Sequence, residues 1–333
     1  MSDSPLLKVN DLRMYYSVEG GWVKAVDGLI LDVYKNECVG VVGESGCGKS
    51  SLALTIIRVL PANSRIFSGE ILFEGENILG LSEEDFRKRI RWKKISIVFQ
   101  GAMNSLNPVI TIGDQIVETI LAHENVSKKE AWERAENLLR LVGIDPKRAK
   151  SYPFEFSGGM KQRAMIAMAL ALNPSLLIAD EMTTALDVII QAQIINLVAD
   201  LRRRLNLSSI IISHDIPLVF SSSDRIFVMY AGKIVEYGST EEIYYSPMHP
   251  YTFLLLDSVP DIRGKRRTLG FIEGAPPNLL DPPTGCRFHP RCPFAVDICR
   301  KEEPEMSAVS SSHHVACHRL EEITLKRALK WAS

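Results

Sequence analysis

The stretch "VGVVGESGCGKSS", residues 39–51, limits the possible folds more than any other part of this chain. An apolar run leads into a glycine-rich turn and then into residues that can open a helix, in the pattern G-x-x-x-x-G-K-S. Gly43, Gly46 and Gly48 let the backbone close around an anion, so that main-chain N–H groups and the helix N-terminus face phosphates. Glu44, Ser45 and Cys47 fill the loop between them. Lys49 then reaches the β- and γ-phosphates, Ser50 binds Mg²⁺, and Ser51 adds a phosphate contact. Cys47 reads as a tolerated small residue. A glycine turn with a chance Lys-Ser is the alternative, and the strand before it and helix after it argue against that. The class expected is α/β, with a buried strand feeding the loop.

Such a loop needs a second acid on a neighbouring strand. "LLIADEMTTALDV", residues 176–188, offers one: an apolar run ending in Asp180 and Glu181, as in a buried parallel strand with acids at its carboxyl end. That end is where ligands sit in open α/β sheets. Asp180 is expected to hold Mg²⁺, directly or through water, and Glu181 to face the attacking water as general base. Two solvated acids at a strand end are the competing reading.

Composition removes several other classes. Of 333 residues, 46% are hydrophobic and 24% charged, which suits one large or two smaller domains with full cores. A formal net charge of −1, with Lys and Arg spread along the chain, gives no field to hold a nucleic-acid backbone, so no nucleic-acid partner is expected. "MSDSPLLKVNDL" has no basic n-region or apolar h-region, and the longest apolar run, Ala164 to Leu172, is far short of the roughly 18 residues of a membrane span. The expectation is a cytosolic chain whose membrane role comes through partner subunits. Six cysteines in a reducing compartment point to metal ligation or core packing. Cys38 reads as apolar filler.

Between the two phosphate-site segments lies "FEFSGGMKQRAMIAMALALNP", residues 154–174. Ser157, Gly158 and Gly159 stand ahead of an apolar helix and make a second anion site. One chain has no use for two cradles on one nucleotide, whereas two chains packed head to tail do. With these residues in view, the chain resembles the nucleotide-binding subunits of ATP-binding cassette (ABC) transporters over about residues 5–245. The resemblance implies a RecA-like P-loop NTPase core with antiparallel β and α-helical subdomains. It further implies that Tyr16, with Tyr15 as rival, stacks on adenine. Gln100, ending "ISIVFQ", matches the glutamine that touches Mg²⁺ and couples to the membrane partner. "FSGGMKQR" matches the signature, with Phe156 for the usual Leu and Met160 for the usual Gln. Asp187 matches the acid that addresses the opposite subunit, and His214, in "IIISHD", the switch histidine at the γ-phosphate. Met182 replaces the usual Pro after the catalytic Glu, which removes no catalytic group.

The last quarter narrows the resemblance. "HPYT", the Pro-rich "APPNLLDPPTGC" and clustered cysteines, with "GESG" and "SLNP" earlier, resemble the ATPase subunits of dipeptide and oligopeptide importers. The expected organisation is a cassette at 1–245, its helical subdomain at about 101–160, and a Cys-rich extension at 246–333. Within the subdomain "SKKEAWERAENLLRLVGI", residues 127–144, reads as an amphipathic helix, and "EEDFRKRIRWKKI", residues 83–95, as a solvated helix before a strand. Cys286, Cys292, Cys299 and Cys317 are spaced x5, x6 and x17, without the tight C-x2-C of zinc knuckles. Longer gaps suit a 4Fe-4S cluster, and the importer resemblance points the same way. Zinc and unmetallated core cysteines stay open, with His289, His313, His314 and His318 as competing ligands.

The resemblance implies an ATP-hydrolysing subunit at the cytoplasmic face of a membrane. Its partners would be a second cassette, usually a paralogue packed head to tail, two transmembrane permease subunits and, indirectly, an extracytoplasmic substrate-binding protein. An oligosaccharide importer and a soluble, non-transport ABC ATPase with an iron-sulfur module are the alternatives.

Overall fold

The computed structural model describes residues 4–101, 104–184, 186–259 and 271–320. Parts of the expected extension, 260–270 and 321–333, lie outside the described residues. The strands are β1 (Leu7–Val18), β2 (Gly21–Val33), β3 (Cys38–Val42), β4 (Ser64–Phe73), β5 (Glu76–Asn77), β6 (Ile95–Val98), β7 (Leu176–Asp180), β8 (Ser208–Ile212), β9 (Arg225–Tyr230), β10 (Lys233–Ser239), β11 (Ser307–Ala308) and β12 (His314–Val315). The α-helices are α1 (Lys49–Ile56), α2 (Glu83–Arg89), α3 (Ile112–Leu121), α4 (Lys128–Leu141), α5 (Gly158–Ala169), α6 (Val188–Leu205), α7 (Ile216–Ser222), α8 (Thr240–Tyr245), α9 (Pro250–Asp257) and α10 (Asp297–Lys301). They fall into two compact units. One comprises residues 1–6, 33–38 and 72–213, the other residues 7–32, 39–71 and 214–333.

In the first unit β6, β7 and β8 run parallel with β7 central. Ile95 pairs with Leu176 and Val98 with Ala179, while Leu176 pairs with Ser208 and Asp180 with Ile212. Every residue of β7 and β8 is buried, as a parallel strand covered on both faces requires, which is why β7 reads as an unbroken apolar run. Helices α3, α4 and α5 pack on one another. On α4 the buried residues Ala131, Ala135, Leu138 and Leu139 recur at helical spacing, and Ser127 caps the helix by accepting the Glu130 N–H at 3.1 Å. Gly143, at φ 76°, takes the left-handed conformation just beyond its end. The basic stretch after Ser82 forms the short helix α2, with Phe86 its buried residue, and stops before β6.

In the second unit β3 lies parallel to β9, with Val39 opposite Arg225 and Val42 opposite Val228. Strand β10 is antiparallel to β9, with an irregularity between Ile234 and Glu236. The far C-terminal residues extend this sheet: Glu236 pairs with Val315 and Tyr237 with His314, and β11 pairs with β12 in turn. The Ala316 N–H also donates to the Val235 carbonyl at 2.8 Å. Strands β2, β1 and β4 lie side by side in a separate sheet. Helix α7 approaches β3 so closely that a Cβ on Gly40 would lie 2.4 Å from Val219 Cγ1. Among the described residues, no helix is long and apolar enough to cross a membrane.

Candidate nucleotide site

The phosphate loop belongs to the second unit and follows the fully buried β3. Gly43, Gly46 and Gly48 all have positive φ, at 155°, 79° and 110°. At Gly48 the need is steric as well as conformational, because a Cβ there would stand 2.0 Å from the Ala25 carbonyl oxygen. Helix α1 starts immediately after, at Lys49. The Lys49 ammonium is buried within the loop, donating to the carbonyls of Gly43 at 2.7 Å and Glu44 at 3.0 Å. Cys47 is buried beneath it, and burial raises its thiol pKa. The Cys47 carbonyl accepts the Gly232 N–H at 2.8 Å, which ties the loop to the β9–β10 turn.

The two tyrosines proposed for adenine separate clearly. Tyr16 donates its hydroxyl to Ser51 Oγ at 3.0 Å, next to the loop. Tyr15 donates to Asp27 at 2.7 Å and packs on Phe67; burial and the Asp27 carboxylate raise its pKa. His214 is exposed in the segment ahead of α7, whose N-terminus Asp215 caps by accepting the Leu218 N–H.

The first unit holds the acids. Asp180 ends β7 and is 3% exposed. Glu181 follows at φ 46°, its N–H donating to the Ile212 carbonyl at 2.8 Å, so the chain turns sharply at the strand's carboxyl end. Gln100, two residues beyond β6, donates its side-chain amide to the Glu181 carboxylate at 2.7 Å. Two residues picked separately in the sequence, 81 positions apart, are thus in contact. Met182 is buried. Ser157 caps α5 by accepting the Met160 N–H at 3.3 Å, and Gly158 and Gly159 form its first turn. A Cβ on Gly159 would meet Ile190 at 2.8 Å, and Asp187 caps the helix carrying Ile190 by accepting that residue's N–H at 3.0 Å. Beside them Val188 and Ile189 are 79% and 72% exposed.

Cys286, Cys292, Cys299 and Cys317 line one small cavity in the second unit, with Phe288 on its wall. Burial raises the thiol of Cys286, and pushes Cys292 up to about 11 and Cys317 up to about 12. Of the competing histidines, His289 and His318 reach the cavity, whereas His313 bonds Glu236 at 2.7 Å and His314 stacks on Tyr237. Neither zinc nor a 4Fe-4S cluster is supported by this arrangement: among the described residues no three His, Cys, Asp or Glu side chains converge as on a metal ion.

Sequence reasoning missed Arg291 and Tyr251. Arg291 forms a bidentate pair with Glu44, at 2.6 and 3.0 Å, and the Tyr251 hydroxyl accepts the Glu44 N–H at 2.8 Å. Neither contact leaves a local signal, because the partners are 247 and 207 positions apart.

Comparison with known proteins identifies two matched regions. Residues 26–184 match the model described as "ABC transporter", and residues 235–299 match "Oligopeptide/dipeptide transporter, C-terminal region". The chain is 48% identical to the probable peptide ABC transporter ATP-binding protein y4tR of Sinorhizobium fredii, covering 96% of both chains. It is 44% identical to the dipeptide transport ATP-binding protein DppD of Caldanaerobacter subterraneus, over 96% of this chain and 98% of that one. Identity to the oligopeptide transport ATP-binding protein OppD of Escherichia coli is 47%, over 90% and 89%. Among solved structures, an ATP-binding cassette dimer in a post-hydrolysis state with ADP and Pi matches with TM-score 0.62 at 26% identity, over 70% of this chain and 98% of that one.

Proposed function

Because this chain belongs to the ATP-binding subunits of the dipeptide and oligopeptide ABC transporters, we propose that it hydrolyses ATP to power import of di- and oligopeptides. The observation that carries this reading is continuity: similarity runs through the cassette and the C-terminal region alike, to proteins named for those two solute classes. Neither an oligosaccharide importer nor a non-transport ATPase is favoured by these relatives.

In the proposed chemistry Tyr16 stacks on adenine, and residues 43–51 receive the phosphates through loop N–H groups and Lys49. Ser50, Asp180 and Gln100 offer the hydroxyl, carboxylate and amide oxygens that suit Mg²⁺, which when bound neutralises phosphate charge. Glu181, oriented by Gln100, takes the proton of the attacking water. His214 stabilises the γ-phosphate. Ser157, Gly158, Gly159 and Asp187 serve the nucleotide of a second cassette. The exposed Val188 and Ile189 beside them support such a partner, as does the dimer among the similar structures. The cassette would span 1–245, with its helical subdomain at about 101–160, and the extension 246–333. Two transmembrane permeases would hold the chain at the cytoplasmic face, with a paralogous cassette and an extracytoplasmic binding protein completing the assembly.

For the four cysteines we propose a 4Fe-4S cluster. What speaks for it is the shared cavity, since a cluster's irons keep its four thiolates apart. Neither matched description nor relative's name mentions a metal. Iron and acid-labile sulfide at about four each per chain, lost in Cys292→Ser, would support it; their absence from anaerobically purified protein would end it. The function itself is tested by MgATP turnover in the assembled transporter. Turnover that survives Lys49→Ala contradicts it.

A further inference from the structure

We infer that the C-terminal region sets the conformation of the phosphate loop through Glu44, which makes Arg291 a positioning residue for ATP binding. The inference rests on the nucleotide reading of that loop and adds a control that the loop's own sequence does not contain.

Glu44 is the second residue of the loop, and its amide, carboxylate and carbonyl are all engaged. The N–H donates to Tyr251 Oη at 2.8 Å, the carboxylate takes both arms of Arg291 at 2.6 and 3.0 Å, and the carbonyl accepts Lys49 Nζ at 3.0 Å. Two of these ties lead into the C-terminal region, and the third leads to the lysine that meets phosphate. A shift of Arg291 or Tyr251 therefore passes through one residue to Lys49.

The holding groups are themselves fixed. The Arg291 side chain is 5% exposed. Its Nε–H donates to the Glu273 carbonyl at 2.8 Å, and its other N–H groups reach the carbonyls of Ile272 and Gly274 and the Tyr230 hydroxyl. A guanidinium bound in this way has one geometry, unlike an exposed pair whose long side chains exchange partners with water. Tyr251 sits in the first turn of α9, where Pro250 follows the cap residue His249. Its ring packs at 4.6 Å on Tyr230 and 5.4 Å on Phe288. The "HPYT" stretch thus has a physical role: a capped, Pro-started helix delivers a hydroxyl to the phosphate loop. Arg291 lies between Pro290 and Cys292, so it belongs to the same loop as one wall of the cysteine cavity.

The test compares the parent with Arg291→Met and Tyr251→Phe in the assembled transporter, with MgATP as the probe. A positioning role predicts that Arg291→Met raises KM for ATP about tenfold while kcat stays within about twofold, since ground-state and transition-state binding are lost together. Tyr251→Phe removes a single oxygen and should raise KM about threefold. Because both groups act through one residue, Glu44→Gln added to Arg291→Met should raise KM less than the product of the single effects. The full chain's Kd for a fluorescent ATP analogue should follow KM. If both Arg291→Met and Tyr251→Phe leave KM and Kd within about twofold of parent, the inference fails. Should Arg291→Met not fold, Tyr251→Phe decides alone. Failure of the nucleotide reading looks different: Lys49→Ala would then bind the analogue as tightly as the parent.

Discussion

The side-chain amide of Gln100 donates a hydrogen bond to the carboxylate of Glu181 across 2.7 Å. An amide that holds the proposed general base would also set the direction in which it accepts a proton. Gln100→Ala should therefore lower kcat about tenfold with a smaller change in KM for ATP. Steady-state ATPase kinetics check this, and an unchanged kcat would separate Gln100 from the chemistry.

Glu181→Gln keeps the size of the side chain and removes the proposed base. Turnover should fall on the order of a hundredfold or more while ATP still binds. A filter-binding assay on the assembled transporter should find unhydrolysed ATP retained. Hydrolysis at the parent rate would assign the base elsewhere.

Gly48 has φ 110°, and a Cβ on it would stand 2.0 Å from the Ala25 carbonyl. Gly48→Ala therefore forces the loop or β2 to move, at about 3 kcal/mol or more by the size of comparable backbone strain. Thermal melts should show Tm lower by about 5 °C or more, with weakened ATP binding. A variant with the parent's Tm and affinity would show that the loop relaxes freely at this point.

Glu242 ties the hairpin of β11 and β12 to α8: it accepts hydroxyl bonds from Ser239, Ser310 and Ser312. Burial pushes its pKa up, but the serine donors outweigh burial and hold the carboxyl at about 2, below its ordinary 4.5. Between those values the unfolded chain binds the proton and the folded chain does not, so this contribution is complete above 4.5 and is lost as pH falls toward 2. Denaturant melts should find Glu242→Gln less stable than the parent at neutral pH, with the gap closing as pH falls through that window. A gap independent of pH would remove Glu242 as its source.

The parts of this protein legible in the sequence are those whose chemistry is local. The glycines that need positive φ sit within a few residues of the lysine at the helix start, and the two acids lie at the end of their own apolar strand, so each group is marked by its local sequence. The amphipathic α4 was equally readable, because helical spacing records which face is buried. What could not be read are pairings made only by the fold. Strand β12 is two residues long and gains its place from β10 rather than from propensity. Arg291 looks like any Arg between Pro290 and Cys292 until the fold brings Glu44 to it. The four cysteines were found as a group, but spacing along a loop does not determine distances across a cavity.

Coupling of ATP hydrolysis to peptide transport can be followed in a reconstituted system. The chain, its partner cassette and the permeases would be placed in proteoliposomes with the binding protein, and uptake of labelled di- and oligopeptides followed with and without MgATP. Uptake should require ATP, stop in Lys49→Ala and stall in Glu181→Gln. Peptide uptake that proceeds equally in Lys49→Ala, or MgATP turnover with no peptide uptake in the complete assembly, would contradict that coupling.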